Sequence, residues 1–146
     1  MRIRHAAALL LVLIAPACLP TGDDIERELE QQLKSVAGPW HGVSDGTNLI
    51  VLEFQLQPGA GNAVTGTGSM REANAAAAVP ITVTGTFVRP RLTLTFNGMV
   101  YEGHAVQGTV QGDYTTVAGL QGPLHLTGTG YTRDLQLLLA EEQMPE

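Results

Sequence analysis

The stretch Asn48-Leu49-Ile50-Val51-Leu52-Glu53-Phe54-Gln55-Leu56-Gln57 decides the fold. Ile50, Leu52, Phe54 and Leu56 occupy every second position, and Val51, Glu53, Gln55 and Gln57 fill the gaps. A period of two sends the first set to a core and the second to solvent, as in a half-buried β-strand. Residues 91–97 repeat the pattern, with Leu92, Leu94 and Phe96 set against Arg91, Thr93, Thr95 and Asn97. An antiparallel sheet with one wet face requires this alternation. Further strands are predicted over 79–88, 100–110, 114–120, 123–130 and 134–140. Turns are predicted at Pro58-Gly59-Ala60-Gly61, Asn97-Gly98, Gly112-Asp113 and Gly122-Pro123. Asn97-Gly98 is the strongest hairpin signal among them. Residues 70–78, with their run of alanines, form the one long connection, either a short helical turn or a flap.

A weak repeat supports a strand-rich fold. An apolar residue, Thr or Gln, Gly and Thr recur at Val64-Thr65-Gly66-Thr67, Val83-Thr84-Gly85-Thr86, Val106-Gln107-Gly108-Thr109 and Leu126-Thr127-Gly128-Thr129, with glycines 19, 23 and 20 residues apart. Each glycine shares parity with its apolar neighbour and therefore faces inward. Glycine weakens a strand unless the strand must bend or pack closely, and coiling strands around a narrow barrel asks for both. The expected fold is all-β: a small antiparallel up-and-down barrel of about eight strands.

Ahead of the strands the pattern is different. Met1-Arg2-Ile3-Arg4-His5 is basic, residues 6–15 are uninterruptedly apolar, and Ala15-Pro16-Ala17 is a small-residue cleavage pattern. Together they make an export signal. The apolar run is shorter than the roughly 20 residues of a permanent span. Cys18, the only cysteine, follows directly, and Ile14-Ala15-Pro16-Ala17-Cys18 resembles the lipobox of bacterial lipoproteins. That resemblance implies a diacylated Cys18 at the mature N-terminus; ordinary signal-peptidase cleavage would cut at the same bond and leave a free thiol. After a short polar spacer, Ile25, Leu29, Leu33 and Val36 fall on one helical face. Asp23 and Glu26 make a capping-box-like start and Gly38-Pro39 a stop, so a helix is expected over 23–37. Its apolar stripe would pack over one end or side of the barrel. The chain thus divides into a signal peptide (1–17), a lipidated tether (18–22), an amphipathic helix (23–38) and a barrel domain (39–146).

The order of helix, Gly38-Pro39-Trp40 and strands is similar to the opening of the calycins, the lipocalin and avidin-like group. There, Gly-x-Trp lies on the first strand, and an arginine from the last strand often covers the tryptophan. The resemblance implies that Trp40 closes one end of the barrel with Arg133 near it. Pockets of the biotin type are walled by several tryptophans, whereas this chain has one.

Little in the chain suggests catalysis. Beyond the signal there are His41, His104 and His125, and serines only at 35, 44 and 69, none in a nucleophile-elbow or phosphate-loop setting. His125 alternates with Leu124 and Leu126 and is expected at the surface. Glu102 and His104 share parity with Val106; they either point into the barrel or its mouth, or a bulge near Gly103 re-aims them to solvent and turns Tyr101 in. Trp40, Arg133, Glu102, His104 and Tyr101 are therefore the residues of interest, with Cys18 as the lipidation site. No enzyme activity, metal or cofactor is expected. Removing Arg2 and Arg4 from 8 basic residues leaves 6 against 14 acidic ones, a mature net charge of 6 − 14 = −8. Such a chain lacks the basic footprint that nucleic acid requires. The partners expected are a membrane, through the lipid anchor, and either a small apolar ligand inside the barrel or another envelope protein on its surface. The expected location is the outer membrane or cell surface, or the periplasm without the anchor.

Overall fold

The computed structural model describes residues 22–23, 36–115 and 118–142. Cys18 and the expected signal peptide lie outside the described residues, as do residues 24–35 of the expected helix. Among the described residues eight strands follow one another: β1 (Gly38–Ser44), β2 (Ile50–Pro58), β3 (Ala63–Glu72), β4 (Val79–Val88), β5 (Arg91–Tyr101), β6 (His104–Asp113), β7 (Leu120–Gly128) and β8 (Tyr131–Glu141). Each pairs antiparallel with the next, and β1 pairs with β8 from Trp40–Glu141 to Ser44–Leu137, so the sheet closes into a barrel. Closure satisfies the ladder groups that an open sheet would leave at its edges. The all-β barrel expected from the alternation is therefore present.

Where β1 begins, the chain enters from Val36; we call this the entry end. The opposite rim carries the β1–β2, β3–β4, β5–β6 and β7–β8 connections. Ser44, buried at the top of β1, accepts the Ile50 amide at 2.8 Å and donates to the Asp45 carbonyl at 3.1 Å, which fixes the first turn. The inward positions pack into one apolar core that includes Ile50, Leu52, Phe54, Leu92, Leu94, Phe96, Leu124, Leu137 and Leu139, none more than 3% exposed. The inward glycines are where strands press together. A methyl group at Gly66 would run into the Gln55 carbonyl oxygen, and one at Gly85 into that of Thr93.

Five sequence expectations need correction. Asn97-Gly98 is a bulge inside β5 and not a hairpin turn: the ladder slips between Phe96–Gly108 and Met99–Val106, with Gly98 at φ 84°. The extra residue inverts the parity, so Met99 and Tyr101 join Leu92, Leu94 and Phe96 in the core, where a turn would have wasted them. The reversal comes instead at Glu102-Gly103, with φ values of 49° and 79°, and it divides the strand predicted over 100–110. The strand predicted over 114–120 is not found among its described residues except at Leu120, which opens β7: β6 runs through Gly112 to Asp113, and Thr115 and Gly119 form an isolated bridge. Gly122-Pro123 lies within β7; the described β6–β7 register ends at Val110–Leu124, so the missing Pro123 N–H falls just beyond that ladder. The alanine-rich connection is shorter than expected, since β3 continues to Glu72 and β4 starts at Val79.

Candidate functional site

Trp40 sits on β1 at the entry end and is fully buried. Its indole N–H donates to the Val36 carbonyl at 2.8 Å, which ties the incoming chain to the barrel. Its ring stacks on Phe54 (6.3 Å, 7°) and meets Tyr114 at 5.3 Å, and Phe87 packs edge-on against Tyr114. Four aromatic rings thus plug this end. Glu141, opposite Trp40 in the register, also comes here; burial pushes its carboxyl pKa up, and a hydrogen bond with Tyr114 offsets part of that rise.

Arg133 is not beside Trp40. It pairs with Leu126 near the start of β8, at the opposite rim, because β8 runs from that rim towards the entry end. There Glu102 Oε2 accepts from Arg133 Nη2 and from the Tyr131 hydroxyl, each at 2.8 Å. The Glu102 amide donates to Glu72 Oε1 at 2.9 Å, while Asn48 Nδ2 donates to Glu72 Oε2 at 3.0 Å. His104 stacks on Tyr131 (4.1 Å, 17°), and the Tyr101 hydroxyl donates to the Asn48 carbonyl at 2.9 Å. Glu102 and His104 therefore stand at the barrel mouth, exposed, with Tyr101 turned in. Glu102 lifts the Arg133 pKa above its ordinary value. Desolvation raises those of Tyr101 and Tyr131, with Glu102 adding to both. The sequence pointed to Tyr101, Glu102, His104 and Arg133 but missed Asn48, Glu72 and Tyr131, which only the barrel's closure brings into reach. The network ties the residues at all four rim connections to one another and has the character of a latch.

A second feature lies on the outer wall. The seam between β2 and β3 is a groove in three connected parts, of about 280, 340 and 490 Å³. Glu53 and Ser69 line both the first and second parts, and Gln55 and Thr67 both the second and third. One wall is long, made of Glu53, Gln55 and Gln57 on β2; the other is short along Thr65, Thr67 and Ser69 on β3 and ends at the longer Arg71. Its cause is legible in the repeat. Inward Gly66 and Gly68 let β3 press against β2 so closely that a methyl on either would strike the Gln55 or Glu53 carbonyl. Among the described residues, no group of three or more His, Cys, Asp or Glu side chains is arranged to hold a metal ion.

No protein-family profile, curated protein or solved structure matches the chain.

Proposed function

We propose that this is an exported lipoprotein, acylated at Cys18, whose barrel is a rigid head that works through its outer surface on another component of the cell envelope. The observation that carries the surface role is the filled interior: the inward side chains of all eight strands contribute to one buried apolar cluster. Cavities that hold drug-sized ligands run to about 300–1,000 Å³. An apolar ligand inside this barrel would have to displace core side chains such as Leu94, Phe96 and Leu137, all fully buried. The filling thus favours a surface function over an internal one. Anchoring is supported by the export signal and by Cys18 directly after it. Two acyl chains suffice for stable attachment, at about 0.8 kcal/mol per buried methylene. The same reading includes a calycin-like kinship, supported by eight consecutive strands and a first-strand Trp40 at the plugged end.

Fractionation of cells that express the wild type and Cys18→Ser tests the anchor. The wild type should partition with membranes and the variant appear in the soluble fraction or as unprocessed precursor. A variant that remains fully membrane-bound would overturn the lipoprotein reading. Mass spectrometry of small molecules that co-purify with the protein tests the surface role, which a stoichiometric apolar ligand would defeat.

A further inference from the structure

The geometry points to the β2–β3 groove as a binding site for a linear, uncharged glycan. This deepens the surface role proposed above and rests on it for biological meaning.

Shape is the first argument. The outward β2 positions from Val51 to Gln57 span six residue steps, about 20 Å at strand rise, and the three parts of the groove follow them end to end. An elongated trough of that length suits a polymer segment, not a compact metabolite.

Chemistry is the second. Gln55, Gln57, Thr65, Thr67 and Ser69 supply three hydroxyls and two amides, groups that both donate and accept. Among the described residues none of the five side chains has a hydrogen-bond partner within the protein, although the rim latch and the Gln107–Asn97 pair show how readily such groups find one elsewhere. Sugar hydroxyls are likewise donors and acceptors, so each could be met without desolvating a charge. The charged residues of the groove are Glu53 near the middle, Glu142 beside it and Arg71 at one end, and His41 lies 3.9 Å from Glu53. With two carboxylates and a single arginine, the groove offers no continuous basic floor to a nucleic acid or anionic polymer.

The barrel's closure is the third. An extended peptide normally adds to a sheet by main-chain bonds to an exposed edge, and this barrel has none to offer. Recognition on the wall must run through side chains, which favours a ligand that is itself hydroxyl-rich.

The test is a calorimetric titration of the purified full-length chain with cellotetraose and with the N-acetylglucosamine tetramer, using the corresponding disaccharides as length controls. At least one tetramer should bind saturably, and at least tenfold more tightly than its disaccharide. Thr67→Val combined with Gln55→Ala should weaken that binding tenfold or more while leaving the melting temperature within a few degrees. Thr95→Val with Thr109→Val, on the β5–β6 wall, should leave it unchanged. The inference is overturned if neither tetramer binds at millimolar concentration, if the wall variants are equivalent, or if a neutral tetrapeptide competes as well as the sugar. Because the titration uses purified protein, its outcome is independent of anchoring; failure of the lipoprotein reading would appear in the fractionation alone.

Discussion

Replacing Trp40 should come close to unfolding the barrel. The indole is fully buried, packs on Phe54 and Tyr114, and hydrogen-bonds to the Val36 carbonyl. Truncating a buried Trp or Phe to Ala typically costs about 3–5 kcal/mol through lost burial and the cavity left behind. The orphaned Val36 carbonyl adds roughly 1 kcal/mol if water does not reach it. The total, about 4–6 kcal/mol, is a large part of the roughly 5–15 kcal/mol that holds a typical domain. A domain of this size loses about 4 °C of melting temperature per kcal/mol, so Trp40→Ala should melt roughly 15–25 °C lower. Trp40→Phe keeps a ring against Phe54 and loses the N–H; its cost should be near 1–2 kcal/mol, or about 4–8 °C. Melting is followed by far-UV circular dichroism, since the variants have no tryptophan. Native emission of the wild type reports Trp40 alone, because it is the only tryptophan, and should be blue-shifted. A native spectrum typical of water-exposed indole, or an Ala variant that melts within 3 °C of wild type, would refute the reasoning. Arg133→Ala, at the other rim, should leave the emission unchanged and the melt nearly so, since an exposed ion pair contributes little.

Gly85→Ala should destabilise by about 1–3 kcal/mol, because its methyl meets the Thr93 carbonyl, which cannot move without breaking the β4–β5 ladder; an unchanged urea midpoint would show that the strands are not so close. Glu141→Gln should raise the melting temperature at pH 8 and the gain should vanish towards pH 4. Burial raises the carboxyl pKa in the fold, so as pH rises the unfolded chain loses this proton first. Stability therefore falls between the ordinary carboxyl pKa and the raised one and stays lower above it; Gln removes that loss, and a pH-independent difference would contradict the mechanism. Glu102→Ala should release Tyr131 and Arg133 together and speed hydrogen exchange in the rim turns while the core amides keep their protection.

Most of the barrel could be read from the chain because its strands expose one face, and alternation is then enforced residue by residue. β2 and β4 were legible nearly to their ends. The errors fell where a local signal competed with packing. Asn97-Gly98 has the composition of a turn, yet burial of Met99 and Tyr101 is worth more than a hairpin there, so the dipeptide became a bulge. Pro123 looked like a strand breaker but sits where it interrupts no described β6–β7 pair. The Arg133 placement failed for a different reason: an analogy supplied the partner, whereas the direction of β8 decides it. Glu72 and Tyr131 could not have been found by pattern at all, since neither lies near Glu102 in sequence and only the closed ring joins them.

The β1–β8 ladder has a consequence for how the chain acquires its structure. Its pairs, such as Trp40 with Glu141, join the two extremes of the barrel sequence, whereas every other ladder links neighbours in the chain. Hairpins can form early and locally, but closing the ring carries the loop entropy of nearly the whole domain and must wait for the last strand. A nascent chain that lacks β8 presents β1 and β7 as bare edges, the geometry that recruits other strands. Synthesis thus leaves the barrel vulnerable until β8 emerges, and nonsense mutations ahead of or within β8 should yield aggregates instead of a slightly shortened barrel.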